Sequence, residues 1–138
     1  MAHRDGSNDK KILWAVDPQA ISTNTTTTSN IIDTQGFDKV TFVLIANAYT
    51  DGTFTPLVNE SDDSGMSGES AVIDAELSRT EANAAITAET TNSTDATGKI
   101  SYLGSKRYVT CDVVSTSTSS GATVGVLAIL EKADVQPV

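Results

Sequence analysis

Tyr102-Leu103-Gly104-Ser105-Lys106-Arg107-Tyr108-Val109 runs on through Thr110-Cys111-Asp112-Val113-Val114, pauses at Ser119-Ser120-Gly121, and resumes as Thr123-Val124-Gly125-Val126-Leu127-Ala128-Ile129-Leu130. Both apolar stretches are rich in β-branched residues, and the Ser-Ser-Gly break between them has turn chemistry. Residues 98–132 therefore read as two strands folded on each other, a closing hairpin that sets the class as all-β.

Working outward, Val40-Thr41-Phe42-Val43-Leu44-Ile45-Ala46 is apolar on both parities. That implies a strand covered on both faces, by a second sheet or by another subunit. Asp51-Gly52 is a hairpin signal, and residues 53–60 return from it; Pro56 has no amide to donate, which places an edge or a bulge there. Ile12-Leu13-Trp14-Ala15-Val16 is a short strand stopped by Asp17-Pro18. Asn30-Ile31-Ile32 and Ala71-Val72-Ile73 are shorter strands, Asp33 to Asp38 is a turn, and the Ser/Thr run 22–28 is a loop or a solvent-facing edge. The Ala- and Glu-rich segment 74–88 has room for a helical turn or two. The expectation is an antiparallel β-sandwich, jelly-roll-like, of seven to eight strands with at most a short helix near 75–88. A single domain over 11–132 would carry a polar N-terminal arm, 1–10, and a tail, 133–138.

A chain of 138 residues has one-domain length. Its net charge is −9, and between Val40 and Gly98 ten acidic residues face the single cation Arg79. Such a middle repels phosphate and anionic lipid, so neither nucleic acid nor a membrane surface is an expected partner. No apolar run is long enough to cross a bilayer, and residues 1–9 show no hydrophobic signal region. The lone Cys111 shares the apolar parity of Val109 and Val113 and reads as a buried, inert thiol.

No catalytic set emerges. The only histidine, His3, stands in the polar N-terminal segment, so neither a triad nor a histidine-based metal site assembles around it. Glu60 with Asp62 or Asp63 is a possible carboxylate pair, but the aromatic lining that glycoside chemistry would require is missing. Residues 60–65 offer the oxygen ligands calcium wants without the alternate spacing of an EF-hand; a solvated acidic turn is the plainer reading. Lys106 and Arg107 either pair with carboxylates of the acidic middle or anchor a partner's carboxylate. Trp14 reads as core more readily than as interface. Its flanks, Lys10-Lys11 and Asp17-Pro18, also fit an arm lying on a neighbour. The expectation is of no enzyme activity, no cofactor and no metal, with Arg4, Lys10, Lys11, Trp14, Lys106 and Arg107 as candidate partner contacts.

Three blocks resemble the small head proteins of tailed bacteriophages that decorate or cement a capsid lattice. They are Ile31 to Asp38 leading into the apolar strand, Thr50 to Pro56 with Glu60-Ser61-Asp62-Asp63, and Tyr102 to Val109 with Ser120-Gly121-Ala122. The resemblance spans roughly residues 28–132 as a whole domain. This chain departs from the pattern where Gly65-Met66-Ser67-Gly68-Glu69 supplies no aromatic after the acidic loop, and where Thr110 stands at an often basic position. The resemblance implies a stiff sandwich on the outside of a virion head, made in the host cytoplasm. Its partners would be the major capsid protein and its own copies, as dimers or trimers at a symmetry axis. Removing residues 1–11 is then expected to weaken attachment without unfolding the domain. The competing readings are a tail-tube, neck or fibre-associated β domain and a carbohydrate-binding module.

Overall fold

The computed structural model describes residues 6–88, 90 and 95–133. Nine strands form in chain order: β1 (Lys11–Ile21), β2 (Thr26–Thr27), β3 (Ile32–Asp33), β4 (Phe37–Asn47), β5 (Thr53–Ser61), β6 (Ser70–Ala71), β7 (Ala96–Tyr102), β8 (Tyr108–Thr116) and β9 (Ala122–Ala133). The helical expectation for 75–88 is met by one 3-10 turn, Asp74–Glu76, and one short helix, α1 (Glu81–Ala84). Thr80 caps α1, its hydroxyl accepting from the Asn83 amide.

The strands form two antiparallel sheets, ordered β1-β9-β4-β7 and β2-β8-β5-β6. β3 also pairs with β8, so β2 and β3 are one edge strand interrupted at residues 28–31. Counted that way, eight strand positions alternate between the sheets at every connection except β5–β6. This is a jelly roll, the expected architecture.

The alternation corrects two pairings. Residues 102–130 are not a hairpin: β8 pairs with β5 and with β2 and β3, whereas β9 pairs with β1 and β4. The Asp51-Gly52 turn likewise carries the chain from β4 in one sheet to β5 in the other. Alternating apolar residues specify that a strand has a buried face, not which strand lies beside it. Here β4 and β1 offer β9 eleven-residue partners on either side. β8 contributes Val109, Cys111 and Val113 to the core from the opposite layer.

The core lies between the layers. Val40, Phe42, Leu44 and Ala46 of β4 point into it beside Val124, Val126, Ala128 and Leu130 of β9. They meet Phe54 and Val58 of β5 and the three β8 residues, all effectively without solvent exposure. Burial of this apolar surface is the main favourable term in folding. Cys111 is fully enclosed, and burial pushes its thiol pKa up, which disfavours the reactive thiolate.

Edges are closed by particular devices. The Phe54 amide donates to the Ile86 carbonyl and the Val58 amide to the Glu81 carboxylate, 2.8 Å. Pro56 lies on the same parity, so its missing amide falls on the edge away from β8, as the sequence suggested. The far edge of β7 is bonded by the Ser78 amide to Ser101 and by the Leu103 amide to Glu76. Bulges break the β1 register between Trp14 and Val16 and between Val16 and Gln19.

Asp51 ties the two crossovers at one end. Its carboxylate accepts from the Ser119 amide (3.0 Å) and hydroxyl (2.6 Å), the Ser120 amide (3.1 Å) and the Gly121 amide (2.8 Å). Gly121 has φ +73°, and a Cβ there would sit 1.7 Å from the Ile21 carbonyl oxygen. Gly121→Ala combines left-handed strain with a backbone clash, and we expect it to cost about 2–4 kcal/mol. Urea unfolding would show this as a lowered midpoint with an unchanged slope; a midpoint equal to wild type would mean that the loop simply re-forms.

Candidate functional site on the outer face of the first sheet

Side chains on β1, β9, β4 and β7 that point away from the core form an ordered grid, because register fixes which residues stand side by side. One row reads Ile12–Ile129–Thr41–Ser101, the next Trp14–Leu127–Val43–Lys99, and a third Gly125–Ile45–Thr97. The first row is crossed by a bond between the Thr41 and Ser101 hydroxyls, 2.9 Å. Before it stand Glu131 and Lys39, again side by side, with the Lys10 ammonium 3.6 Å from the Glu131 carboxylate.

Most of this face is apolar. Ile12 is 60% exposed and Trp14 40%, while Leu127, Ile129, Val43 and Ile45 are half-buried only by one another and their neighbours. Gly125 explains the posture of the tryptophan. A Cβ there would lie 3.1 Å from the Trp14 ring and 3.2 Å from Pro18 Cγ, so the ring lies across the glycine. The reading of Trp14 as core gives way to a position on this face, because the bulge after it turns the next two residues, Ala15 and Val16, inward.

The other candidate contacts scatter. Arg4 lies outside the described residues. Lys11 opens β1 and is exposed. Lys106 pairs with Asp62, which raises the lysine pKa. Arg107 makes a two-pronged bond to Asp33, 2.8 Å on each prong, and its guanidinium stands 4.9 Å from the Tyr108 ring centroid. Both cations of that pair of residues are thus held by carboxylates of this chain; the Arg107 partner lies before the acidic middle.

The acidic segment is used internally. Glu60 accepts from the Tyr102 phenol, which in turn accepts from the Lys106 amide at 2.9 Å. Burial, and then the Glu60 hydrogen bond, push the Tyr102 pKa up. Asp63 accepts from the Gly65 amide, 2.8 Å, organising its own turn. Among the described residues no group of three or more His, Cys, Asp or Glu stands together as metal ligands would.

Sequence reasoning placed Trp14 among the candidates but not Ile12, Leu127, Ile129, Val43 or Ile45. The signal was present in the doubly apolar parities of 40–46 and 124–130. Only the register shows that those surplus positions belong to neighbouring strands and merge into one surface.

No protein-family model matches the sequence, and no curated protein does. Among solved structures the chain is similar to the SPBc2 prophage-derived protein YomS, at 12% identity and TM-score 0.44, covering 88% of this chain and 92% of that one. It is also similar to the Tobacco streak virus coat protein, at 13% identity and TM-score 0.35, covering 95% and 91%. The CBM22-1–GH10 portion of a Clostridium thermocellum xylanase matches at 11% identity and TM-score 0.39, over 94% of this chain and 27% of that one.

Hydrogen bonds lower the pKa of two anchored carboxylates, Asp33 and Asp51. The hydrogen bond from Arg107 brings Asp33 down from 3.8 to about 2, with the Gln35 amide adding to it. The Ser119 hydroxyl and three loop amides hold Asp51 well below the usual carboxylate range. A carboxyl group depressed in the folded state contributes fully above its unfolded pKa and loses that contribution as pH falls. The melting temperature should therefore stay level above about pH 5 and fall below about pH 4, with the Asp33 share vanishing towards pH 2. Arg107→Gln and Asp51→Asn should each shrink the acid-side drop; unchanged drops in both would remove these carboxylates as its cause.

Proposed function

We propose that this chain is a non-enzymatic virion protein that decorates or cements a phage capsid from outside, bridging subunits of the major capsid protein and meeting its own copies. One observation carries the reading. A closed, rigid sandwich turns Ile12, Trp14, Leu127, Ile129, Val43 and Ile45 outward on a single face, and contiguous exposed apolar surface of that kind marks a macromolecular contact. Glu60, Asp62 and Asp63, the carboxylates weighed as a reactive pair, are bonded to Tyr102, to Lys106 and within their own loop.

The sequence resemblance of residues 28–132 to capsid decoration proteins supplies the setting. A cement protein adds interface rather than reactivity, sharing outward pressure among capsomers through many weak contacts. A stiff jelly roll serves that task, since the edges it closes resist open-ended strand pairing. Trp14 is the single exposed aromatic ring among the described residues, so this face carries no row of rings along which a glycan chain would stack.

Binding of the purified chain to capsids assembled without it tests the reading. Saturable binding with a copy number comparable to the major capsid protein is expected. The truncation that probes the arm should stop at residue 9, since Lys10 already reaches Glu131 and Lys11 pairs with Leu130. A chain lacking residues 1–9 should keep its cooperative thermal transition and bind capsids more weakly by on the order of tenfold or more. No binding by the full chain would end the capsid reading, and loss of the transition would end the idea of a separable arm.

A further inference from the structure

We infer that the outer face of β1-β9-β4-β7 is a self-complementary dimer surface, occupied by the same face of a second copy about a two-fold axis running along the strands between β9 and β4. The register carries the inference. Rotation about that axis lays β9 of each copy over β4 of the other and β1 over β7, keeping the strands nearly aligned as in sheet-on-sheet packing.

The residues then meet in suitable pairs. Leu127 of one copy lies over Val43 of the second and Ile129 over Thr41, since each pair already shares a row across β9 and β4. Glu131 lies over Lys39 of the second copy and Lys39 over its Glu131, two opposite-charge contacts generated by one symmetry operation. Trp14 and Lys99 share a row at opposite borders of the sheet, so the second copy's Lys99 comes over the Trp14 position at the border of the contact. The second copy's Ile45 comes over Gly125, where the Trp14 ring lies. A two-fold axis across the strands instead would place Glu131 and Lys39 against Thr123 and Asn47, without charge pairing.

The size sets the strength. Strand and residue spacings give this face a footprint on the order of 500 Å² per copy. That is at the low end of specific interfaces and calls for a reversible, concentration-dependent dimer. The inference rests on the self-association part of the proposed function; capsid attachment is scored separately, by binding of the same variants to capsids.

Sedimentation equilibrium on the full chain, with K39E, E131K and their equimolar mixture, provides the test. Each variant alone sets like charges opposite one another and should weaken dimerisation on the order of tenfold. Mixing the two should restore dimers as a heterodimer, because every facing pair is again of opposite sign. Trp14 is the only tryptophan, so its emission should move to shorter wavelength as wild-type dimers form and follow the same pattern in the variants. Thermal melts confirm that each variant is folded. A wild type that stays monomeric, a trimer, dimers indifferent to both swaps, or folded variants whose mixture gives no rescue would each overturn the inference.

Discussion

The Asp51 carboxylate, accepting hydrogen bonds from Ser119, Ser120 and Gly121, ties the short β4–β5 and β8–β9 crossovers together at one end of the molecule. In a jelly roll consecutive strands lie in different layers, so the turns must bridge sheets roughly 10 Å apart rather than close a ladder. Here the β4–β5 turn supplies the anion and the β8–β9 turn supplies the amides. The Thr50 amide adds a bond to the Gly121 carbonyl, 2.8 Å. The close passage of Gly121 over Ile21 then sets where β9 begins against the end of β1. The clamp and the buried apolar faces of β9, β4 and β1 agree on one register for the four-stranded sheet, and with it on the rows of its outer face.

That sheet carries the long strands and the second carries the interrupted ones, and the difference decides what each surface can do. β2, β3 and β6 are two residues each, and the loops beside them put their carboxylates and hydroxyls into backbone bonds. Ser29 donates its amide to Asp112, and Ser115 bridges to the carbonyls of Thr23 and Thr25. Among the described residues the outer face of the first sheet has no such cover. β1 and β4 run eleven residues each and β9 twelve, so the layer is continuous, regular along β4 and β9 and bulged only in β1. One regular face is spent on the core and the other is left flat, apolar and exposed.

Much of this fold was legible in residues 40–46, 53–60 and 102–130, because strand existence rests on local chemistry. Val40 to Ala46 announced a strand covered on both faces; the strand forms and its inner face is buried, while Val43 and Ile45 on the other face are only half-buried within this chain. Pro56 announced an edge or a bulge, and its position without an amide does fall on the side of β5 away from β8. Pairing was not legible. Ser119-Ser120-Gly121 has the composition of a hairpin turn, and nothing local reveals that its amides are taken by a carboxylate some seventy residues earlier. The same gap hid the outer face. Leu127 and Val43 are each an extra apolar residue in their own strand, and they become one surface only when β9 is placed beside β4. Of the two readings of Lys106 and Arg107, the structure shows pairing with this chain's own carboxylates: Lys106 with Asp62 of the acidic middle, and Arg107 with Asp33 before it.

Charge and shape together favour that face for the inferred dimer. With net charge −9, two copies approaching through their acidic loops repel each other. Edge-to-edge pairing is blocked where Glu81, Ile86 and Ser78 occupy the backbone of β5 and β7, and where bulges twist β1. The outer face differs on both counts: Lys10, Lys39 and Lys99 stand around an apolar centre, with Glu131 among them. Removing that centre from water favours contact, while the mixed-sign border selects register over indiscriminate adhesion. A layer that can be covered only from one side gives closed contacts rather than open-ended strand addition.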